Sequence, residues 1–176
     1  MKHINLAVTA IAAAILCVFS PISLPMGSIP ISLALLAIAF ISCVLPWKQS
    51  VAAVIIYILL GACGLPVFSG FIGGFQQITG ITGGFIIGYI PCSLIVSLLV
   101  GRYAEKKIIY PISMILGIAI CYLSGTIWYS IQTSTAFSAS LAVCVLPFII
   151  GDIIKISVAS AMGSAIRKKI KTIYLT

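Results

Sequence analysis

Acid is nearly absent from this chain. Its 176 residues hold two carboxylates, Glu105 and Asp152, against ten lysines and arginines and a single histidine, His3. Two distant acids do not make the paired carboxylates of general acid–base chemistry, and one histidine cannot seed a histidine-based metal site. The six cysteines (Cys17, Cys43, Cys63, Cys92, Cys121 and Cys144) are dispersed, mostly in apolar runs, with no CxxC pair. That pattern speaks against zinc or a disulfide framework and for small buried hydrophobes. No cofactor is expected. Charge of either sign is scarce: 7% of residues carry one, where a soluble domain carries about 25%. Such a chain cannot cover a water-facing surface, and it leaves no room for a soluble catalytic domain. The net charge of +8 does not point to nucleic acid, because the few basic residues flank apolar runs and read as topology determinants.

What remains is hydrophobic, at 62% of residues. The chain reads as an all-α integral membrane protein with one domain, 1–176. About 20 apolar residues cross the hydrocarbon core as a helix, and such runs fall near 5–20, 30–47, 49–64, 84–101, 108–128 and 139–165. The first could pass for a signal peptide, but it ends in Phe19-Ser20-Pro21 without an A-x-A site and reads as a retained helix. The charges support a count of six. Lys2, Lys48, the Arg102–Lys107 turn and the run Arg167, Lys168, Lys169, Lys171 all fall on one side of a six-helix bundle. The opposite turns, 21–29, 65–83 and 129–138, carry no charge. The positive-inside rule then places both termini in the cytoplasm.

One acid lies within a span. In Gly151-Asp152-Ile153-Ile154-Lys155 the two ionisable residues are three apart, on one helical face. Each costs roughly 2.5–3.5 kcal/mol near the centre of a spanning helix, so the pair reads as a ligand grip or as an ion pair fixing helix packing. Pro147 should bend the helix just outside it. The outer loop from Gly64 to Gly84 is rich in glycine and aromatics: Gly70, Phe71, Gly73, Gly74, Phe75 and Gln76, then Thr82, Gly83 and Gly84. It reads as an inward-folding cap rather than a plain flexible loop, since irregular backbone at membrane depth must be buried in protein or line a cavity. The first outer loop, 21–30, is proline-rich and stiff, with Pro30 suited to the first turn of helix two. Ala10-x-x-x-Ala14 in helix one suits close helix approach, either to a partner or within the bundle. Gly84-x-x-x-Gly88 suits packing inside the bundle.

With these residues in view, the chain resembles the BioY family, the biotin-specific S components of energy-coupling factor (ECF) transporters. The likeness is carried by Leu59-Leu60-Gly61-Ala62-Cys63-Gly64-Leu65-Pro66-Val67-Phe68-Ser69-Gly70-Phe71, by Gly73-Gly74, by Gly80-Ile81-Thr82-Gly83-Gly84-Phe85 with Gly88, and by Gly151-Asp152-x-x-Lys155. Two departures concern the loops: Ala34 stands where a glutamine is usual, and Ile81 where a proline is usual. The resemblance implies a prokaryotic cell-membrane subunit that captures biotin outside. It implies docking through the Ala10/Ala14 face on a transmembrane coupling subunit driven by two ATPases, with lipid around it. It also implies that Asp152 and Lys155 lie at the ligand. An acid can accept from the ureido N–H groups of biotin and a lysine can donate to its carbonyl or carboxylate. Phe71, Phe75 and Tyr89 are the candidate apolar walls. Two other classes compete. An autonomous secondary transporter is disfavoured by short length and absent inverted repeats, and an intramembrane enzyme by the lack of a second carboxylate or a membrane histidine.

Overall fold

The computed structural model describes residues 2–24 and 29–174. The tip of the first outer loop, 25–28, lies outside the described residues, as do the side chains of Lys2 and Lys171. Six apolar helical segments follow the hydrophobic runs. Gly83–Tyr103, Ile109–Thr133 and the interrupted run Phe137–Lys169 are each long and apolar enough to cross a membrane, whereas His3–Phe19, Ala34–Val44 and Trp47–Ala62 are shorter. The elements in order are α1 (Lys2–Phe19), the strands β1 (Ser23–Leu24) and β2 (Ile31–Ser32), α2 (Ala34–Val44), α3 (Trp47–Ala62), α4 (Phe75–Thr79), α5 (Gly83–Tyr103), α6 (Ile109–Thr133), α7 (Phe137–Cys144) and α8 (Ile149–Tyr174).

The second apolar run is not helical from Pro30. Ile29 precedes a proline, which disfavours helical backbone, and Ile31-Ser32 pairs antiparallel with Ser23-Leu24 instead. Helix α2 therefore starts at Ala34 and has 11 residues. The last run bends where Pro147 forbids a continuous helix: α7 ends at Cys144, a 3-10 turn covers Leu146–Phe148, and α8 begins at Ile149. The glycine-rich loop holds one turn of its own, α4.

Close approach organises the centre. Helices α5 and α6 share the most extensive contact. A Cβ at Gly84 would run into the Trp128 side chain and one at Gly125 into the Phe85 ring. The small residues thus let the two backbones nest, as small-xxx-small pairs do in membranes. A buried polar knot joins α2, α3 and α5. The Ser50 hydroxyl lies 2.9 Å from that of Ser42 on α2 and 2.8 Å from that of Ser93 on α5, with 3.1 Å closing the triangle. In lipid, apolar packing has little directional preference, so such hydrogen bonds fix the helix register. On α1, Thr9, Ala12, Ala13 and Leu16 are buried, whereas Ala7, Ala10, Ile11, Ala14 and Val18 are exposed along the opposite face.

Candidate functional site

The break at Pro147 decides the character of Asp152. It places the carboxylate in the first turn of α8, where unpaired backbone N–H groups and the helix dipole favour a negative charge. The two carboxylate oxygens have different donors. Oδ1 accepts from the Lys155 ammonium at 3.4 Å, and Oδ2 accepts from the Tyr122 phenol of α6. Asp152 and Lys155 are 5% and 8% exposed, and theirs is the one ion pair among the described residues.

Tyr122 and Lys155 form part of the wall of a cavity of about 390 Å³, within the roughly 300–1,000 Å³ usual for small-molecule pockets. Most of its lining is apolar and aromatic: Leu35, Tyr57, Phe85, Ile86, Tyr89 and Phe148. Polar groups gather at two ends. Tyr122 and Lys155 lie deep in the bundle. Gln76, Gln77, Ser69 and Thr82 come from the glycine-rich loop at the other end. Tyr122 precedes Trp128 by six residues on α6, about 9 Å along the axis, which sets the depth of the inner polar end beneath the loop.

The loop is built rather than slack. Trp128 Nε1 donates to the Gly80 carbonyl at 2.9 Å and Gln132 Nε2 to the Thr79 carbonyl at 2.7 Å, so α6 grips the end of α4. The Gly74 N–H donates to the Gly61 carbonyl at 2.7 Å, and the Gly70 N–H donates to Pro21 of the first loop at 3.0 Å. Gly70 and Gly74 take φ values of +78° and +105°, which suit glycine. Phe71, at φ +59°, shares that region without being glycine.

The expected site residues divide accordingly. Lys155, Gln76, Thr82 and Tyr89 line the cavity. Asp152 stands behind it, touching the Tyr122 and Lys155 that do. Gly83 and Gly84 pack against the Ile78 carbonyl and Trp128, where they seat α4 rather than face the cavity. Gly70, Gly73 and Gly74 shape the loop backbone. Phe71 and Phe75 are 68% and 66% exposed and outside the lining, so the structure does not bring them to the walls assigned to them. Ala10 and Ala14 lie on the exposed face of α1, away from the cavity. Sequence reasoning missed Tyr122, Tyr57, Phe85 and Phe148. A tyrosine in an apolar helix gives no signal by itself; the usable clue for Tyr122 is that a buried carboxylate needs more than one donor.

A family model described as the BioY family matches residues 1–172. The chain belongs to the BioY family. Among its relatives, a protein named biotin transporter BioY2, from Lactococcus lactis subsp. cremoris, is 32% identical over 165 residues, covering 94% of this chain and 91% of that one. A biotin transporter BioY from Thermotoga maritima is 35% identical over 161 residues, covering 90% and 92%. A crystal structure described as the S-component for biotin from an ECF-type ABC transporter superposes with a TM-score of 0.88 at 24% identity, over 95% of this chain and 92% of the other. The BioY chain described here therefore shares its fold with that S component.

Proposed function

We propose that this BioY-family chain is a biotin-binding S component of an ECF-type importer, taking up the vitamin at the loop-covered end of the bundle. The observation that carries the reading is the cavity itself. It is aromatic-walled, with a buried charge pair at its inner end and uncharged amides and hydroxyls at its mouth. Biotin has the complementary order of parts: a polar ureido ring, an apolar thiophane and a flexible tail ending in a carboxylate. At the inner end Lys155 has N–H donors beyond the one given to Asp152 to offer the ureido carbonyl, and the Tyr122 oxygen, whose proton goes to Asp152, can accept from a ureido N–H. Asp152 holds both donors in place and stays available to exchange one of them for a ureido N–H. Tyr57, Phe85 and Tyr89 flank the thiophane, and Gln76, Gln77 and Ser69 face the tail. A compact charge-assisted contact at one end and dispersion along the rest gives both orientation and affinity.

The membrane arrangement in this reading has six spans and cytoplasmic termini. Arg102 and Arg167 meet at the end of the bundle opposite the glycine-rich loop, with Trp47 and the neighbouring Lys48, as the positive-inside rule asks of the cytoplasmic side. Ala10 and Ala14 offer the coupling subunit a small-residue surface, and the two ATPases supply the energy.

The decisive test is equilibrium binding of biotin to the detergent-purified chain and to Asp152→Asn. Binding by the parent and a substantially weaker mutant is the expected result. A folded parent chain that does not bind biotin overturns the substrate assignment, and an unaffected mutant overturns the site. Biotin uptake by proteoliposomes should require ATP and the ATPase-bearing module. Uptake that instead follows a proton gradient without that module would point to a secondary transporter.

A further inference from the structure

A second cleft opens at the opposite end of the bundle, with a volume of about 610 Å³. The start of α3, the last turn of α5 and the late part of α8 enclose it. Twenty residues of α5 separate Arg102 from Thr82 at the biotin cavity, about 30 Å along the axis, so the two sites are independent. Two guanidiniums, Arg102 and Arg167, line the cleft beside an apolar wall of Pro46, Leu98 and Leu99. Arg167 Nη1 donates to the Cys43 carbonyl at 2.7 Å. One bond of this kind orients the group while the guanidinium has five N–H donors in all. Arg102 lies 5.7 Å from the centre of the Tyr103 ring. Neither arginine has an acidic partner among the described residues, whose one ion pair is Asp152–Lys155. Trp47 and Tyr103, also part of the lining, are 45% and 44% exposed. Aromatics of this kind mark the headgroup level of a bilayer.

We propose that this cleft is a binding site for the phosphodiester headgroup of an anionic phospholipid from the cytoplasmic leaflet. Arg102 and Arg167 clamp the phosphate, and the lipid's first methylenes lie on Leu98 and Leu99. Guanidinium matches phosphate in planarity and charge. Basic pockets between membrane helices on the cytoplasmic side are known to take such headgroups. The apolar wall beside the two cations is what distinguishes a lipid from a free anion here, because a soluble phosphate makes no use of it. The lipid would bridge α3, α5 and α8, whose residues together line the cleft.

The test is a lipid titration of the delipidated, detergent-purified chain, read by native mass spectrometry and by thermal unfolding. Dioleoylphosphatidylglycerol is compared with dioleoylphosphatidylcholine and with inorganic phosphate. The parent chain should retain phosphatidylglycerol in preference to phosphatidylcholine by roughly tenfold or more, the scale of a charged hydrogen bond. The preference should vanish in Arg102→Gln and in Arg102→Gln/Arg167→Gln, while all three proteins elute as the same folded species. Because Arg167 also ties α8 to α2, the single Arg102→Gln variant carries the argument should the double variant misfold. Equal retention of both lipids, or an unchanged preference in Arg102→Gln, overturns the proposal. Competition by inorganic phosphate at the lipid's concentration would make this a soluble-anion site instead. A variant that keeps its lipid but loses co-purification with a coupling subunit would make the cleft a protein contact, and that too overturns it.

Discussion

Asp152 accepts from two sides, so removing one donor should differ sharply from removing the other. In Tyr122→Phe the carboxylate keeps its ammonium partner and the fold keeps its ring. A hydrogen bond to a charged group contributes about 1.5–3 kcal/mol and this one is made without ligand, so melting temperature should fall modestly and biotin affinity roughly tenfold. Lys155→Met instead strands a buried anion, and breaking a buried pair costs about 3–5 kcal/mol. Affinity and melting temperature should fall together. The double variant Asp152→Asn/Lys155→Met separates structure from recognition. With both charges gone its melting temperature should recover most of the loss while biotin binding does not. Calorimetric titration and thermal unfolding of the four proteins settle the matter; recovery of binding in the double variant would reduce the pair to a packing device. The pair was legible in the sequence because charge is so rare here that its placement alone is informative. Tyr122 was not, since nothing in an apolar stretch singles out the one phenol that meets a carboxylate 30 residues later.

Among the elements, α4 is the smallest and the most consequential. Five residues cannot hold a helix by themselves, and α6 supplies the missing stability through Trp128 and Gln132. Trp128→Phe keeps the packing against Gly83 and Gly84 but removes the donor to Gly80; Gln132→Ala removes the donor to Thr79. Each bond contributes about 0.5–1.5 kcal/mol. The double variant should release biotin several-fold faster, with a smaller change in association, in a stopped-flow displacement measurement. An unchanged dissociation rate would mean that α4 does not cover the ligand. Glycine density marked this loop as structured, but its one-turn helix and its clamps come from α6, some 50 residues later, and no local pattern encodes them. Pro147 behaved differently. A bend was expected there, and a full break followed because the 3-10 turn lets a new helix begin at Ile149, with Asp152 in its first turn. Pro30 misled, because a proline fits the first turn of a helix and the lead-in to a strand equally well, and only pairing with Ser23-Leu24 decides between them.

For the whole molecule, the docking proposed for α1 would separate folding from assembly. Its buried side, with Ala12, Ala13 and Leu16, seals the bundle, while Ala10 and Ala14 face outward and contribute nothing to the interior. Ala14→Trp should therefore bind biotin like the parent but fail to co-purify with a coupling subunit. Recovery of the complex at parental yield would send the docking surface elsewhere. Arg102 and Arg167, two of the charges on which the expected topology rests, line one cleft at one end of the bundle. The packing that brings them there was beyond the sequence. It depends on how α8 packs on α2 and α2 on α5, and no local spacing encodes that register.

The bond from Gly70 to Pro21 has a kinetic consequence. The described residues ahead of α2, 21–24 and 29–33, stand in for the helical turns that it lacks: at 11 residues it rises about 16 Å, half of a hydrocarbon core. Ile29, Pro30 and Ser32 therefore line the cavity without being part of any helix, and Pro21 stitches this loop to the glycine-rich one. If neither loop can part from the other without losing that stitch, both open in one event rather than two. The amide protons of Leu33, bonded to Ile22, and of Gly70, bonded to Pro21, should then exchange with solvent deuterium at a common opening free energy. Bound biotin should slow both by the same factor.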